Sequence, residues 1–490
     1  MSTLRHRDST SGATTQTPRR LDSTEPPGPS VQSILSGETR RVPAALRETR
    51  NDYLNEPPVE LQSERYFSSE FYRLENDKVW NRTWQCVCRA EEIPNVGDHV
   101  VYEIADYSLI VVRSAVAEIK AFHNVCLHRG RILRETGGHV ANFRCKFHGF
   151  VWRLDGTLSF VPCRWDFPNL REEDYSLPEA RVGVWGGFVF INMDPGAVSL
   201  EEYLGEIPEH FLEWNFESRY IAAHVGLLVK ANWKVALEAS LEAMHVLATH
   251  PQVLSYMGDA NAQYDARKDR PHYSRLISPM GLPSPFVANR VSDQESFDSL
   301  MPPQVYGSEA GKEAKVPEGS TSRQFAAEMM RQRMRQATNG RDFADVSDSE
   351  LLDLIVYSIF PNFYLQGGYF LNTTLFYRYR PWNGDPEQCL WEVYLLLPAP
   401  QHAPRPRPAP LHLLEPGQTF ADAEELGPFM GPFLDQDLGN MAWVQKGLRA
   451  ARKPASNWAR YQESQIRHFH RTLDMYLFGE TKERNSSTTD

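Results

Sequence analysis

Cysteine is scarce in this chain: Cys86, Cys88, Cys126, Cys145, Cys163 and Cys389 are the 6 in 490 residues. They are too few and too uneven for a disulfide framework, so the compartment reads as reducing and any that cluster read as metal-binding or catalytic. A basic excess is missing too. Lys and Arg number 52 against 63 Asp and Glu, a net charge of −11, which leaves no overall field for nucleic acid or an anionic membrane. No stretch offers about 18 consecutive apolar residues, and the opening MSTLRHRDSTSGATTQTPRR lacks the apolar run of a secretory signal. Cytoplasm is the default localisation, with neither nucleic acid nor membrane as partner. No G-x-G-x-x-G follows a strand-like run and there is no P-loop, so no bound nicotinamide or nucleotide is expected.

What the chain does have is apolar material, 41% of residues, enough for two or three domains. Residues 1–45, rich in Ser, Thr, Pro, Arg and Gly, are expected to be a disordered arm. A helical lead-in over 46–80 follows, with aromatic and aliphatic residues at helical intervals after Ser68-Ser69-Glu70, and is expected to pack on the second domain. Residues 81–195 read as short strands and loops, a small all-β domain. Residues 196–475 mix helical segments such as NWKVALEASLEAMHVLATHP with strand-like LFYRYRPW and CLWEVYLLLPAP. The expected fold class is therefore α+β, a small all-β domain followed by a mixed α/β domain with an antiparallel sheet and helices. Within the polar stretch from about 256 to 350 one helix is predicted at SRQFAAEMMRQRMRQA, and 476–490 is a polar tail.

The chemistry concentrates at NVCLHRGRILRETGGHVANFRCKFHGF. Cys126-x-His128 and Cys145-x-x-His148 place one thiol and one imidazole on each of two loops, a full ligand set. Zinc could use these four donors. Two cysteines with two histidines also suit a Rieske 2Fe-2S cluster, in which the cysteines hold one iron and the histidines the other. The pattern C-x-H-R-G at 126–130 and C-x-x-H-G at 145–149, followed by Phe150, Trp152 and Asp155-Gly156, resembles the Rieske domain of ring-hydroxylating oxygenase large (alpha) subunits. His139 falls outside the pattern and reads as a surface residue; Cys86, Cys88 and Cys163 read as buried.

A second constellation lies in the next domain. His245 and His250 are five positions apart, about 500° of helix, so they can share a face only if the helix breaks between them. It is expected to end or unwind near Val246–Thr249, before Pro251. Glu242, three before His245, lies on the same helical side and can orient its imidazole. Two His with one carboxylate and open positions form the facial triad of non-haem Fe(II) oxygenases. The resemblance supplies the carboxylate from a distant helix, and FLDQDLGNMAWVQKGL at 433–448 matches it, giving Asp437 as ligand and Asp435 as competitor. The resemblance spans about 55–470 and includes Asn232-Trp233-Lys234.

The resemblance implies the terminal oxygenase of a multicomponent system, with a Rieske 2Fe-2S cluster at Cys126, His128, Cys145 and His148 and one mononuclear Fe(II) at His245, His250 and Asp437. Electrons from NAD(P)H would come through a separate reductase, with or without a ferredoxin. It also implies a head-to-tail homotrimer, with or without a small beta subunit, in which Glu242 links His245 to His148 of the partner subunit. The substrate would be an aromatic or other apolar ring, to be mono- or dihydroxylated with O2. Glu242 stands where ring-hydroxylating members usually carry Asp, and Glu there is familiar from relatives that oxidise quaternary ammonium compounds, so oxidative C-N or C-O cleavage is the first alternative. A zinc-stabilised binding protein without turnover is the second. Met244, Phe360, Asn362, Phe433 and Leu434 are candidate pocket residues.

Overall fold

The computed structural model describes residues 27–57, 60–301, 314–337, 343–367, 372–400 and 402–479. The sheets separate the two halves of the chain. A seven-stranded antiparallel sheet and a three-stranded one lie within 85–192 and 143–160 respectively. An eight-stranded sheet is built from Gln263–Asp265, Tyr273–Ser278, Leu354–Ile359, Phe363–Gly367, Thr374–Trp382, Asp385–Pro398, Arg219–Val229 and His412–Leu413, in that spatial order. Its neighbours are antiparallel except for the last pair.

Period-2 alternation divides the apolar side chains between cores. In Tyr107–Ala115, Leu109 and Val111 face the core shared with the second half, while Ile110 and Val112 face a small core that also holds Cys126, Cys145, Phe150 and Trp152. In the eight-stranded sheet, Tyr364, Leu375 and Tyr377 face one large core, and Phe363, Leu365 and Phe376 the other. The helices Gly427–Ala450 and Ser464–Phe478 contribute to the first of these, and Ser322–Ala337 to the second. The last of these three has the bounds read from its sequence.

The two halves are joined by buried charge. Arg378 and Arg380 both reach Glu392, at 2.7 and 2.8 Å. Arg378 donates onward to the carbonyls of Cys86 and Val87, and Arg380 to that of Glu103 at 2.6 Å. Two arginines of the eight-stranded sheet are thus hydrogen-bonded to the backbone of the first sheet.

Three expectations need correction. The expected disordered arm contains a helix, Val31–Ser36, capped by the Ser30 hydroxyl, and Val31, Leu35 and Val42 are buried. The arm's mean composition hides an i, i+4 apolar pair that packs on the second core; residues 1–26 lie outside the described residues. The 476–490 tail begins inside a helix, because Leu477 is buried in the last turn of Ser464–Phe478, and 480–490 are not among the described residues. The helix at Trp233 ends at Glu238 rather than near Val246–Thr249. In the lead-in, Ser69–Glu75 continues into a wider turn over Asn76–Trp80, and Trp80 packs edge-on against Trp233 at 4.9 Å. No described helix is long and apolar enough to cross a membrane.

Candidate functional site

Cys126 and Cys145 open two loops of the same design. In each, the carbonyl of the cysteine accepts from the glycine four residues on (Gly130, 2.9 Å; Gly149, 3.0 Å). The cysteine's own N–H donates to the next residue's carbonyl, Arg131 or Phe150, at 2.8 Å in both. Both glycines sit at positive φ, +73° and +79°, where a β-carbon would be strained. The tight turns bring the two thiols into mutual hydrogen-bond contact and turn backbone N–H groups toward them, from His128 and Arg129 to Cys126 and from Phe147 and His148 to Cys145. Burial pushes the Cys126 thiol up. For Cys145, burial also pushes upward, but its N–H donors and the Cys126 thiol outweigh it and the net shift is downward.

His128 and His148 lie beside each other, ring centroids 4.6 Å apart, with His128 stacked flat on Phe150 at 4.7 Å. The Nδ1 of His128 is buried without a partner among the described residues, a cost that a bonded metal would remove. Two paired thiols under N–H donors and two adjacent imidazoles, one with an orphaned nitrogen, fit a Rieske cluster. His139 is exposed and pairs with Asp98 at 2.9 Å. Cys86 and Cys88 are buried, but Cys163, expected to be buried, is exposed at φ +50° ahead of a short helical turn.

Between His245 and His250 lies a separate one-turn helix, Val246–Thr249. After Glu238 the chain leaves helical geometry, so Glu242 and His245 are neighbours in a turn and not on one helix face. Their contact is nonetheless direct: Glu242 accepts from the His245 backbone N–H at 2.9 Å and pairs with Nδ1 at 2.8 Å. His250 leaves the short helix with φ −122° and its Nδ1 meets Oε1 of Gln436 at 2.7 Å. Each Nδ1 thus faces an acceptor, the arrangement in which a metal bound at Nε2 would leave the ring proton on Nδ1.

Both Nε2 atoms converge on Asp437 of the Gly427–Ala450 helix, its Oδ1 3.0 Å from Nε2 of His250 and 3.6 Å from that of His245. One donor atom from each of the three lies within 4.8 Å of the others, and the set fits a two-His, one-carboxylate metal site. Burial would push His245 down, but the hydrogen bond to Glu242 and the charges of Glu242 and Asp437 outweigh it and hold the ring above its ordinary value. Asp435, the competitor, is elsewhere: it accepts from the N–H groups of Phe420 and Ala421 at 2.8 and 3.0 Å. Gln436 went unnoticed in the sequence, although it immediately precedes Asp437.

A cavity of about 190 Å³ opens beside this triad, lined by Phe433 and Leu434 as expected, and by Met257, Leu276, Tyr364 and Tyr377 among others. Met244 is instead exposed, and Phe360 and Asn362 are buried away from the cavity lining. Glu242 and Asp437 are the acidic side chains in its wall, and no Lys or Arg lines it among the described residues.

Comparisons with known proteins agree with this layout. Residues 83–171 match the Rieske [2Fe-2S] domain, and residues 209–479, more than half of the chain, match the ring hydroxylating alpha subunit catalytic domain. The chain is 32% identical over 189 residues to the carnitine monooxygenase oxygenase subunit of Escherichia coli K12, covering 38% of this chain and 50% of that protein. It is 33% identical over 190 residues to the biphenyl 2,3-dioxygenase alpha subunit of Rhodococcus jostii RHA1, covering 38% and 41%. The match thus spans half or less of either relative. Among solved structures, a quaternary ammonium Rieske monooxygenase in complex with L-carnitine superposes with TM-score 0.60 at 17% identity, covering 86% of this chain and 97% of that one. A naphthalene 1,2-dioxygenase mutant bound to phenanthrene superposes with TM-score 0.61 at 18% identity, covering 87% and 95%. With a Rieske domain followed by the matched catalytic domain, the chain belongs to the ring hydroxylating alpha subunit family of Rieske oxygenases.

Proposed function

We propose that this chain is the terminal oxygenase of a multicomponent system acting on a neutral, largely apolar ring substrate. The observation that carries the reading is the convergence of two imidazole Nε2 atoms and one carboxylate on a single point beside a largely apolar cavity. Cys126 and Cys145 would hold one iron of the cluster and His128 and His148 the other, while His245, His250 and Asp437 would hold the mononuclear Fe(II). Bound there, the two groups supply electron relay and O2 activation. The residues of the chain do the positioning: Glu242 and Gln436 keep the Nδ1 protons of the triad imidazoles in place, and Phe433, stacked on His250 at 4.0 Å, excludes water from its face.

Electrons would come from a reductase, directly or through a ferredoxin. The working unit would be a head-to-tail trimer in the cytoplasm, with or without a small beta subunit, and Glu242 would accept a further hydrogen bond from His148 of the partner subunit. The competing reading is C-N or C-O cleavage, favoured by Glu242 and by the carnitine-oxidising relative. Against a quaternary ammonium substrate stands the cavity wall. Among the described residues it holds no Lys or Arg for a carboxylate, and both of its acids are engaged with His245 and His250. Its aromatic pairs also stack on one another, Tyr364 on Tyr377 and Phe429 on Phe433, rather than facing a common centre as a cation cage requires.

The test is substrate-dependent O2 uptake with an added reductase, across neutral ring compounds and quaternary ammonium compounds. Uptake with the neutral rings alone supports the reading. Uptake only with ammonium compounds moves the protein to C-N cleavage, and no uptake with any compound by iron-replete protein contradicts an oxygenase.

A further inference from the structure

Away from the triad and Glu242, the wall of the cavity is largely apolar but carries several polar side chains without a protein partner among the described residues. Tyr364 and Tyr377 are directly opposite each other on neighbouring strands, their rings parallel within 9° and 4.7 Å apart. Both are buried, both line the cavity, and both feel the charge of Asp437, which places them toward the metal end. Neither phenol makes a hydrogen bond to any described residue. At the other end of the sheet Ser278 also lines the cavity, with its hydroxyl fully buried and unpartnered. The strand register separates Ser278 from Tyr364 by two strands and four residues, roughly 16 Å from strand spacing and rise. Between them Gln366, on the same face as Tyr364, has no side-chain partner among the described residues either.

Buried polar groups are normally paired, and exceptions call for an explanation. Tyr379, one alternation further along the same strand as Tyr377, follows the rule, its hydroxyl 2.7 Å from that of Ser240. The hydroxyls of Tyr364 and Tyr377 have no such protein partner among the described residues and face the cavity instead. A bare hydrocarbon filling this space would displace any water from these hydroxyls and leave them unpaired. A substrate with an oxygen acceptor would not, and sites of this design reject the analogue that lacks the hydrogen-bonding group far more strongly than they resolve a methylene. Burial pushes both phenols above their ordinary range, so they remain O–H donors at neutral pH.

Building on the oxygenase reading above, we propose that Tyr364 and Tyr377 form a paired O–H donor site that selects ring substrates already carrying an oxygen function, a hydroxyl, carbonyl or ether, over the parent hydrocarbons. The reaction preceding this enzyme would then be one that installs or exposes such a group.

Equilibrium dialysis of the metal-replete protein against naphthalene, 2-naphthol and L-carnitine at pH 7 tests this without turnover. The expected result is that 2-naphthol binds at least about tenfold more tightly than naphthalene and that L-carnitine displaces neither. The Tyr364→Phe/Tyr377→Phe double variant, which keeps both rings, should lose that preference while binding naphthalene within about twofold of wild type. If the double variant loses its cluster absorbance, Tyr377→Phe alone is read in its place and should lose part of the preference. Equal binding of the two ring compounds, a preference that survives the substitutions, or binding of L-carnitine alone would overturn the proposal. Iron and sulfide content measured on the same preparation separates this failure from failure of the oxygenase reading, which would appear as missing metal and not as missing preference.

Discussion

At the scale of single residues, the triad depends on what holds the far side of each imidazole. Glu242 already accepts two hydrogen bonds from His245, and a third from His148 of the partner subunit would make it the bridge between cluster and iron. An amide cannot accept in the same way on its nitrogen side. Glu242→Gln should therefore keep both metals but slow reoxidation of a pre-reduced cluster by about 10- to 100-fold in single-turnover experiments with substrate and O2. Reoxidation at the wild-type rate would remove the bridge. Gln436 is held in place by Gln252, whose Nε2 donates to the same Oε1 at 2.7 Å. Replacing Gln436 by Leu frees Nδ1 of His250, and iron affinity at the triad should fall about 10- to 100-fold in a chelator competition while the cluster spectrum is unchanged. Glu242 was legible in the sequence because it lies three residues from its partner. Gln436 was not, because a contact across 186 positions leaves no local pattern.

The elements that carry these residues were legible where a pattern was local. The two cysteine loops announce themselves through their spacing and glycines, and Ser322–Ala337 through its helical spacing. The helix break was expected from the five-residue interval between His245 and His250, but it lies at the other end of the segment. The chain must turn before Glu242, and a single helical turn then separates the two histidines. The preceding helix, Trp233–Glu238, ends in a buried polar group. Glu238 accepts from the Tyr66 hydroxyl at 3.0 Å and meets Nε2 of His470 at 2.7 Å, and burial pushes its carboxyl up to about 8. Folding therefore takes up a proton here. The stability contribution is fully present below the unfolded carboxyl pKa and is lost as pH rises from about 4.5 through about 8. Glu238→Gln removes the titration, and its melting temperature should decline less than that of wild type between pH 5 and 8. Parallel declines would show that Glu238 does not titrate in this range.

For the whole molecule, the feature no sequence pattern betrayed is the joint between halves. Arg378 and Arg380 read as ordinary strand residues, yet they share Glu392 and bind the backbone of the first sheet. Replacing Arg378 by Met leaves Glu392 with less compensation in a buried setting, a loss of about 3–5 kcal/mol by the measure of broken buried pairs. Thermal unfolding should show a lower midpoint, with the cluster absorbance lost ahead of the global transition. An unchanged midpoint would mean that the joint is held by apolar packing alone. The order of the two halves was legible because each carries its own ligand spacing. The docking of Val31 and Leu35 was not, because an apolar pair inside a polar arm is diluted by its surroundings.

The central claim is that one chain holds two separate iron sites, a cluster and a mononuclear centre. Iron and acid-labile sulfide per chain, measured on wild type and on Asp437→Ala alongside the EPR spectrum of the reduced protein, tests it most directly. The account predicts about three irons and two sulfides per chain in wild type, from a two-iron cluster and a single mononuclear site. In Asp437→Ala it predicts about two irons, with the Rieske-type signal unchanged. Zinc in place of iron, absence of the Rieske signal, or an Asp437→Ala variant that keeps its full iron would contradict it.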